Sequence, residues 1–261
     1  MRIVDLAQEH EATYFACLEE WSEEMREAGP HKEAWYHRLS GRGLRVKMAQ
    51  SDDGVIAGMI QYVPAEHAPI EGTDLNFVLC IWVHGYKRGI GNYQRRGMGK
   101  ALLAAAAEDT RLQGRSGLAA WGLALPFFMR ASWFKKRGYT PVDRQGVRVL
   151  LWKPFVEGAP SPRWIRRRKT PGETPGQVTV TAFMSGWCPA QNIVYERARR
   201  ACEELGERAV FKPVHTYDRE VFLEWGISDG LFIDGREMRT GPPPSYEKIR
   251  KAIERGLRRV S

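Results

Sequence analysis

The sequence predicts two α/β domains, a larger one built on a mixed central sheet and a smaller one after it. Three observations predict this. Within residues 1–155 the apolar segments run strand, helix, helix, three strands, helix, strand, helix and two strands, each with the period of its type. Within residues 178–257 a second series runs strand, helix, strand, helix, two strands and helix. Between them, a stretch rich in Pro, Gly, Arg and Lys lacks apolar periodicity and reads as a connector. The expected division is therefore 1–156, a basic linker at 157–176, and 177–261. A chain of 261 residues can bury two such cores.

Taken in order, residues 2–6 read as a short strand, and residues 10–28 and 31–39 as helices separated by Gly29-Pro30. Residues 43–50 and 55–63 alternate apolar and polar around Asp52-Asp53-Gly54, the pattern of a hairpin. A strand follows at 77–83, an alanine-rich helix at 96–112, a strand at 118–124, a helix at 126–136 and paired strands at 139–142 and 147–152. In the second domain, strands are expected at 178–183, 209–214, 231–233 and 237–239. Its helices are expected at 189–205, 219–225 and 246–257.

Composition narrows the class. Hydrophobic residues make up 43% and charged residues 27%, which is ordinary globular usage. No apolar run reaches the roughly 20 residues of a membrane span, and the first dozen residues mix in charges, so a soluble cytoplasmic protein is expected. The net charge of +9 suits polyanionic ligands. Much of it is local, in Arg163, Arg166, Arg167, Arg168 and Lys169, a run read as solvated linker rather than as a nucleic-acid contact. The four cysteines Cys17, Cys80, Cys188 and Cys202 show no CxxC or zinc spacing, so neither a metal site nor a disulfide framework is expected.

The most informative stretch is Gln94-Arg95-Arg96-Gly97-Met98-Gly99-Lys100, between a predicted strand and a predicted helix. Glycines at a helix N-terminus let a phosphate approach unpaired N–H groups at the positive end of the dipole. The stretch resembles the Q/R-x-x-G-x-G/A pyrophosphate loop of the GNAT family of N-acetyltransferases. Ala131-Ser132-Trp133-Phe134-Lys135-Lys136-Arg137-Gly138-Tyr139 resembles that family's later helix-to-strand motif. The resemblance implies a GNAT fold with acetyl-CoA as acyl donor and a small-molecule or protein amine as acceptor. It also implies a fourth main strand splayed from its neighbour, placing Ile81, Trp82, Val83 and His84 along the pantetheine arm and thioester. Phe134 stands where many members carry the tyrosine that protonates the departing thiolate. For the base, the candidates are His84 at the strand end, because imidazole is the side-chain type suited to proton transfer near neutral pH, and Glu66, His67, Glu71 and Asp74 in the preceding loop. Trp82, Trp121, Phe127, Phe128 and Trp133 are expected as aromatic walls. The glycine-bearing loop 84–92 reads as a surface insertion or a substrate gate.

In the second domain, Trp187-Cys188-Pro189-Ala190-Gln191 follows a strand and opens a helix, resembling the Trp-Cys-x-x-Cys motif of thioredoxins with Gln191 in place of the resolving cysteine. The helix dipole is expected to make Cys188 the most acidic of the four thiols, and so a candidate catalytic residue beside His84. Cys202 lies fourteen residues further along the same helix, about 21 Å away at 1.5 Å per residue, beyond disulfide reach. Asp229 occupies the place of the thioredoxin cis-proline. With the terminal Gly241-Pro242-Pro243-Pro244-Ser245-Tyr246-Glu247, the layout resembles YoaP-like proteins, in which such a thioredoxin-like domain follows an acetyltransferase. The resemblance implies an N-acyltransferase with a monothiol accessory domain. A non-catalytic acyl-CoA-binding sensor responsive to thiols or metalloids is the alternative. Neither membrane nor nucleic acid is expected as a partner, and no oligomeric state follows.

Overall fold

The computed structural model describes residues 1–126 and 128–259. In chain order the elements are β1 (Arg2–Asp5), α1 (Glu11–Phe15), α2 (Glu23–Arg26), α3 (His31–Leu39), β2 (Arg45–Gln50), β3 (Ile56–Pro64), β4 (Ile70–Glu71) and β5 (Leu75–Val83). Next come α4 (Met98–Leu112), β6 (Gly117–Leu123), α5 (Ala131–Lys135), β7 (Thr140–Gln145), β8 (Arg148–Pro154) and β9 (Arg163–Trp164). The last are β10 (Val178–Met184), α6 (Pro189–Leu205), β11 (Ala209–His215), α7 (Arg219–Trp225), β12 (Gly230–Ile233), β13 (Arg236–Met238) and α8 (Tyr246–Leu257). They gather into two compact units, residues 1–21 with 39–165, and residues 22–38 with 166–261.

The first unit holds a seven-stranded mixed sheet in the order β1-β2-β3-β5-β6-β8-β7. All neighbours are antiparallel except β5 and β6, which run parallel and are joined through α4. β3 is buried along its whole length, as a central strand covered on both faces should be. α4 lays Leu102, Leu103, Ala106 and Ala107 onto the sheet, where they share a core with Ile60, Val78, Ile81 and Phe134. Its alanines bring the helix close without side-chain entropy loss.

The second unit carries a four-stranded sheet, β11-β10-β12-β13, with β10 and β11 parallel and the other pairs antiparallel. Its core joins Val178, Val180, Ala182 and Leu231 of the sheet to Val194, Ala198 and Cys202 of α6 and Ile249 and Ile253 of α8.

Two expectations need correction. The single helix expected over 10–28 is broken: Cys17 and Leu18 take left-handed backbone angles (φ 49° and 67°), and α2 restarts after Ser22, whose side chain accepts from Met25 N–H. Leu18 is buried by that reversal. The basic stretch read as solvated linker is partly pinned. Arg163–Trp164 pairs with Ile70–Glu71, and Trp164 and Ile165 are buried. Further on, Arg168 N–H donates to Trp225 C=O at 2.9 Å, Arg167 pairs with Glu237, and Lys169 pairs with Glu224. Two apolar anchors among the charges account for the first part, and acidic partners distant in sequence for the second.

Candidate functional site

The sheet of the first unit opens between its two parallel strands. β5 stays paired with β3 from Asn76 to Val83, and β6 stays paired with β8 out to Leu123. The β5–β6 ladder, by contrast, runs only from Leu75 opposite Gly117 to Val78 opposite Ala120. The cause lies at the next residue. Gln61 pairs with Cys80 and Tyr62 with Val78, so Leu79 is an extra residue in β5. A bulge of this kind bends its strand and increases the twist, which carries Cys80 to Val83 away from β6. Trp121 fills the vertex, its indole N–H donating to Leu79 C=O at 2.8 Å. Among the described residues, the strand edge at Ile81, Trp82 and Val83 is thereby left without a neighbouring strand on its β6 side.

The same strand leads to the start of α4. Gly97 is the N-cap at φ +86°, a left-handed conformation that glycine takes without a Cβ penalty, and no side chain caps the helix. The first bond carried is Ala101 N–H to Gly97 C=O at 3.1 Å, so by helix geometry the N–H groups of Met98, Gly99 and Lys100 have no intrahelical acceptor. The first turn contains no acidic residue, although negative charge is what a helix start favours. Gln94, Arg95, Arg96 and Lys100 are exposed there instead. The loop is tied to the strand end: Gln94 Nε2 donates to Val83 C=O at 3.2 Å, Asn92 Oδ1 accepts from Gln94 N–H at 2.9 Å, and Tyr93 N–H donates to His84 C=O at 2.9 Å. Arg96 stacks over the buried Tyr93 ring at 4.7 Å. An anion cradle and an open strand edge are thus fixed to each other.

His84 sits at the strand end but is fully buried with both ring nitrogens engaged. Nδ1 lies 2.6 Å from Gly91 C=O, and Nε2 accepts from Trp21 Nε1–H at 3.1 Å. An indole N–H only donates and a carbonyl only accepts, so the partners fix the ring proton on Nδ1. In this arrangement His84 is a pin between the loop and Trp21, with no lone pair facing a substrate. Glu66, His67, Glu71 and Asp74 lie before the opposite end of β5, a strand that runs about 26 Å from Leu75 to Val83 by its rise per residue. The structure does not bring them to the opening.

Phe134 is fully buried in the core, edge-on to Trp133 and Tyr139. Tyr139 is buried as well, its hydroxyl has no hydrogen-bond partner among the described residues, and burial pushes its pKa upward. Trp82 and Phe128 touch each other, as do Trp121 and Phe128. Phe127 lies outside the described residues. Trp21, 63 residues before His84, and the Leu79 bulge were not found by sequence reading. Neither has a local signal.

In the second unit Cys188 is the N-cap of α6, partly exposed, with Pro189 in the first helical position. Its C=O accepts from Gln191 N–H at 2.9 Å and Asn192 N–H at 3.0 Å, and Asn192 Nδ2 donates to Gly186 C=O at 2.8 Å. Asp229 accepts from Ser185 N–H at 3.0 Å and from the Ser185 hydroxyl, holding the thiol loop at its root. Gly186 is left-handed (φ +85°), a conformation glycine takes without strain, and a Cβ there would stand a tight 3.1 Å from Trp35 Cβ of α3. Segment 22–38 is anchored by Arg197, which bonds Glu27 at 2.9 Å, Glu24 at 3.1 Å and Pro244 C=O at 2.9 Å, and by His31 against Glu196 at 2.7 Å. Burial pushes the Cys202 thiol up to about 12. Among the described residues, no cluster of His, Cys, Asp and Glu is arranged to hold a metal ion, and no helix is long and apolar enough to cross a membrane.

No family model and no curated protein matches the chain. Among solved structures, it is similar to the GNAT family N-acetyltransferase YhbS of Escherichia coli in complex with CoA, at 13% identity over 62% of this chain and 88% of that one, with a TM-score of 0.44. It is similar to the PaiA N-acetyltransferase of Thermoplasma acidophilum in complex with coenzyme A, at 18% identity over 59% and 100%, TM-score 0.43. A third likeness is to the ribosomal-protein-alanine N-acetyltransferase of Brucella melitensis, at 18% identity over 59% and 100%, TM-score 0.42. Likeness at this level leaves function to be argued from the site itself.

Proposed function

We propose that the first unit is an acyl-CoA-dependent N-acyltransferase of GNAT type, transferring acetyl from acetyl-CoA to a primary amine. The observation that carries this reading is the coupling of two features along one strand: the opening beyond the Leu79 bulge and the uncapped, acid-free start of α4. In this reading the N–H groups of Met98, Gly99 and Lys100, with Arg95, Arg96 and Lys100 side chains, hold the pyrophosphate. The edge at Ile81, Trp82 and Val83 pairs with the pantetheine amides as a further strand would. A backbone donor on that edge polarises the thioester carbonyl. The amine attacks that carbon, the C–S bond breaks, and the proton lost by nitrogen ends on the CoA thiol.

Neither of the two side chains considered for proton transfer is placed to take the amine proton directly, since His84 has both ring nitrogens engaged and Phe134 has no hydroxyl. Rate then comes from positioning and from the polarised carbonyl. In the second unit, the YoaP-like, thioredoxin-like reading rests on Cys188 at the start of α6 beside the parallel β10–β11 pair, where a helix start favours thiolate. Phe134 supports a second reading, a non-catalytic acyl-CoA-binding sensor. Calorimetry with acetyl-CoA tests the shared part: one-to-one binding is expected, and no heat at high micromolar concentration overturns it. Release of CoA thiol in the presence of amines separates the two readings.

A further inference from the structure

The face of the opening away from α4 is walled by aromatic rings. Ile81 and Val83 pack into the core with Leu102 of α4, so strand alternation sends Trp82, between them, to the other face. There Trp82 meets Tyr86 at 6.1 Å and Phe128 at 5.9 Å between ring centroids. The row continues on one side from Tyr86 to Trp21 at 5.8 Å, and on the other from Phe128 to Trp121 at 6.3 Å. Tyr86 is 46% exposed and Phe128 39% exposed, and Ile90 and Leu125 of the same two loops are exposed too. Large apolar groups gathered at the surface mark a binding surface.

Charge narrows the occupant. Residues 84–92 and 124–130 contain no Asp or Glu and carry Lys87, Arg88 and Arg130. A polyamine or aminoglycoside needs carboxylates for its spare ammonium groups, and these two loops offer it only cations; the carboxylates of Glu19 and Glu20 belong to the segment of Trp21, at the far end of the row from Trp82 and Phe128. Resting on the proposed transferase reading, we propose that the acceptor is a small amine bearing an aromatic ring and no additional positive charge, an arylalkylamine or aromatic amino acid. Its ring packs edge-to-face on Trp82 and Phe128, and its amino group points into the strand opening. Aromatic partners gain from such packing beyond area burial, which an aliphatic chain does not. In the transfer, the new N–C bond replaces the C–S bond, giving the N-acetylated amine and free CoA, whose thiol takes the proton lost by nitrogen.

The test uses the full chain in two measurements. With acetyl-CoA, thiol release is followed for phenethylamine and phenylalanine against spermidine, kanamycin and a lysine-containing peptide. The aromatic amines are expected to win by about tenfold or more in kcat/KM. Phe128→Ser, at an exposed loop position, is expected to raise KM for phenethylamine by about fivefold with the affinity for acetyl-CoA unchanged. Trp82→Phe keeps a ring and is expected to retain the preference. Equal or better use of spermidine, kanamycin or the peptide overturns the proposal, as does a Phe128→Ser variant with unchanged KM. Separately, quenching of tryptophan fluorescence by phenethylamine without acetyl-CoA reads the wall alone. Saturable quenching with no acetyl-CoA binding would remove the transferase reading and leave the aromatic site. Acetyl-CoA binding with no quenching and no preference would remove the aromatic site and leave the transferase.

Discussion

Replacing Lys100 by glutamate should move folding and ligand binding in opposite directions. Lys100 is exposed at the third position of α4, beside the uncapped N–H groups. A cation there opposes the helix dipole, whereas a carboxylate at that position stabilises a helix by roughly 0.3–1 kcal/mol. The expected consequence is a melting temperature unchanged or raised by about 1–3 °C. The pyrophosphate feels the reverse. Two ligand charges about 8 Å away in a water-like dielectric contribute about 0.5 kcal/mol per charge pair, so reversing one protein charge against both costs about 2 kcal/mol. That is about 30-fold in Kd for acetyl-CoA. Calorimetry at low salt and thermal unfolding on the same preparations read the two effects, and in 1 M salt, where the Debye length is about 3 Å, the binding difference should shrink to within a few-fold. A variant that binds acetyl-CoA like the parent refutes the cradle. One that loses binding and stability together refutes the claim that Lys100 serves the ligand rather than the helix.

Tyr139→Phe removes a buried hydroxyl with no partner and should stabilise the first unit by about 1 kcal/mol in denaturant titration; a loss of that size would mean the hydroxyl is paired. Arg197→Met should destabilise the second unit by roughly 1–3 kcal/mol, below the usual range for a broken buried pair because Glu24 and Glu27 are partly exposed. The Arg197 hydrogen bond holds the Glu27 carboxyl below its ordinary value. That contribution is therefore complete above the usual carboxylate range and is lost as pH falls through the depressed value, so the parent should lose stability on acidification more steeply than Arg197→Met. Parallel acid titrations would contradict this. Alkylation of the folded chain at pH 8 should spare Cys202, whose thiol is buried and raised, until denaturant is added; labelling at the native rate of Cys188 would show that α6 opens.

What the sequence disclosed was whatever is written locally. The glycines and basic residues from Gln94 to Lys100 announce a helix start, and that helix begins at Met98. The continuous apolar run at 77–83 was legible because burial on both faces demands it, and 178–183 because its β-branched Val and Thr residues suit a buried strand. The opening was expected only through the family resemblance, and its physical cause was not legible. It depends on Leu79 being unpaired between two partners on β3 and on an indole from β6, relations between residues about 18 and 42 positions apart. His84 misled for a related reason. Its position in the chain suits a base, but its partners, Trp21 and Gly91, consume both nitrogens. The break at Cys17 and Leu18 was likewise hidden, because neither residue type favours a left-handed turn.

The central claim is that one ligand bridges the start of α4 and the open edge of β5. Amide hydrogen exchange of the full chain with and without acetyl-CoA tests it most directly. Joint protection of residues 98–100 and 81–83 at saturating ligand is the predicted result. Protection confined to one of the two segments, or found only elsewhere, would contradict the account.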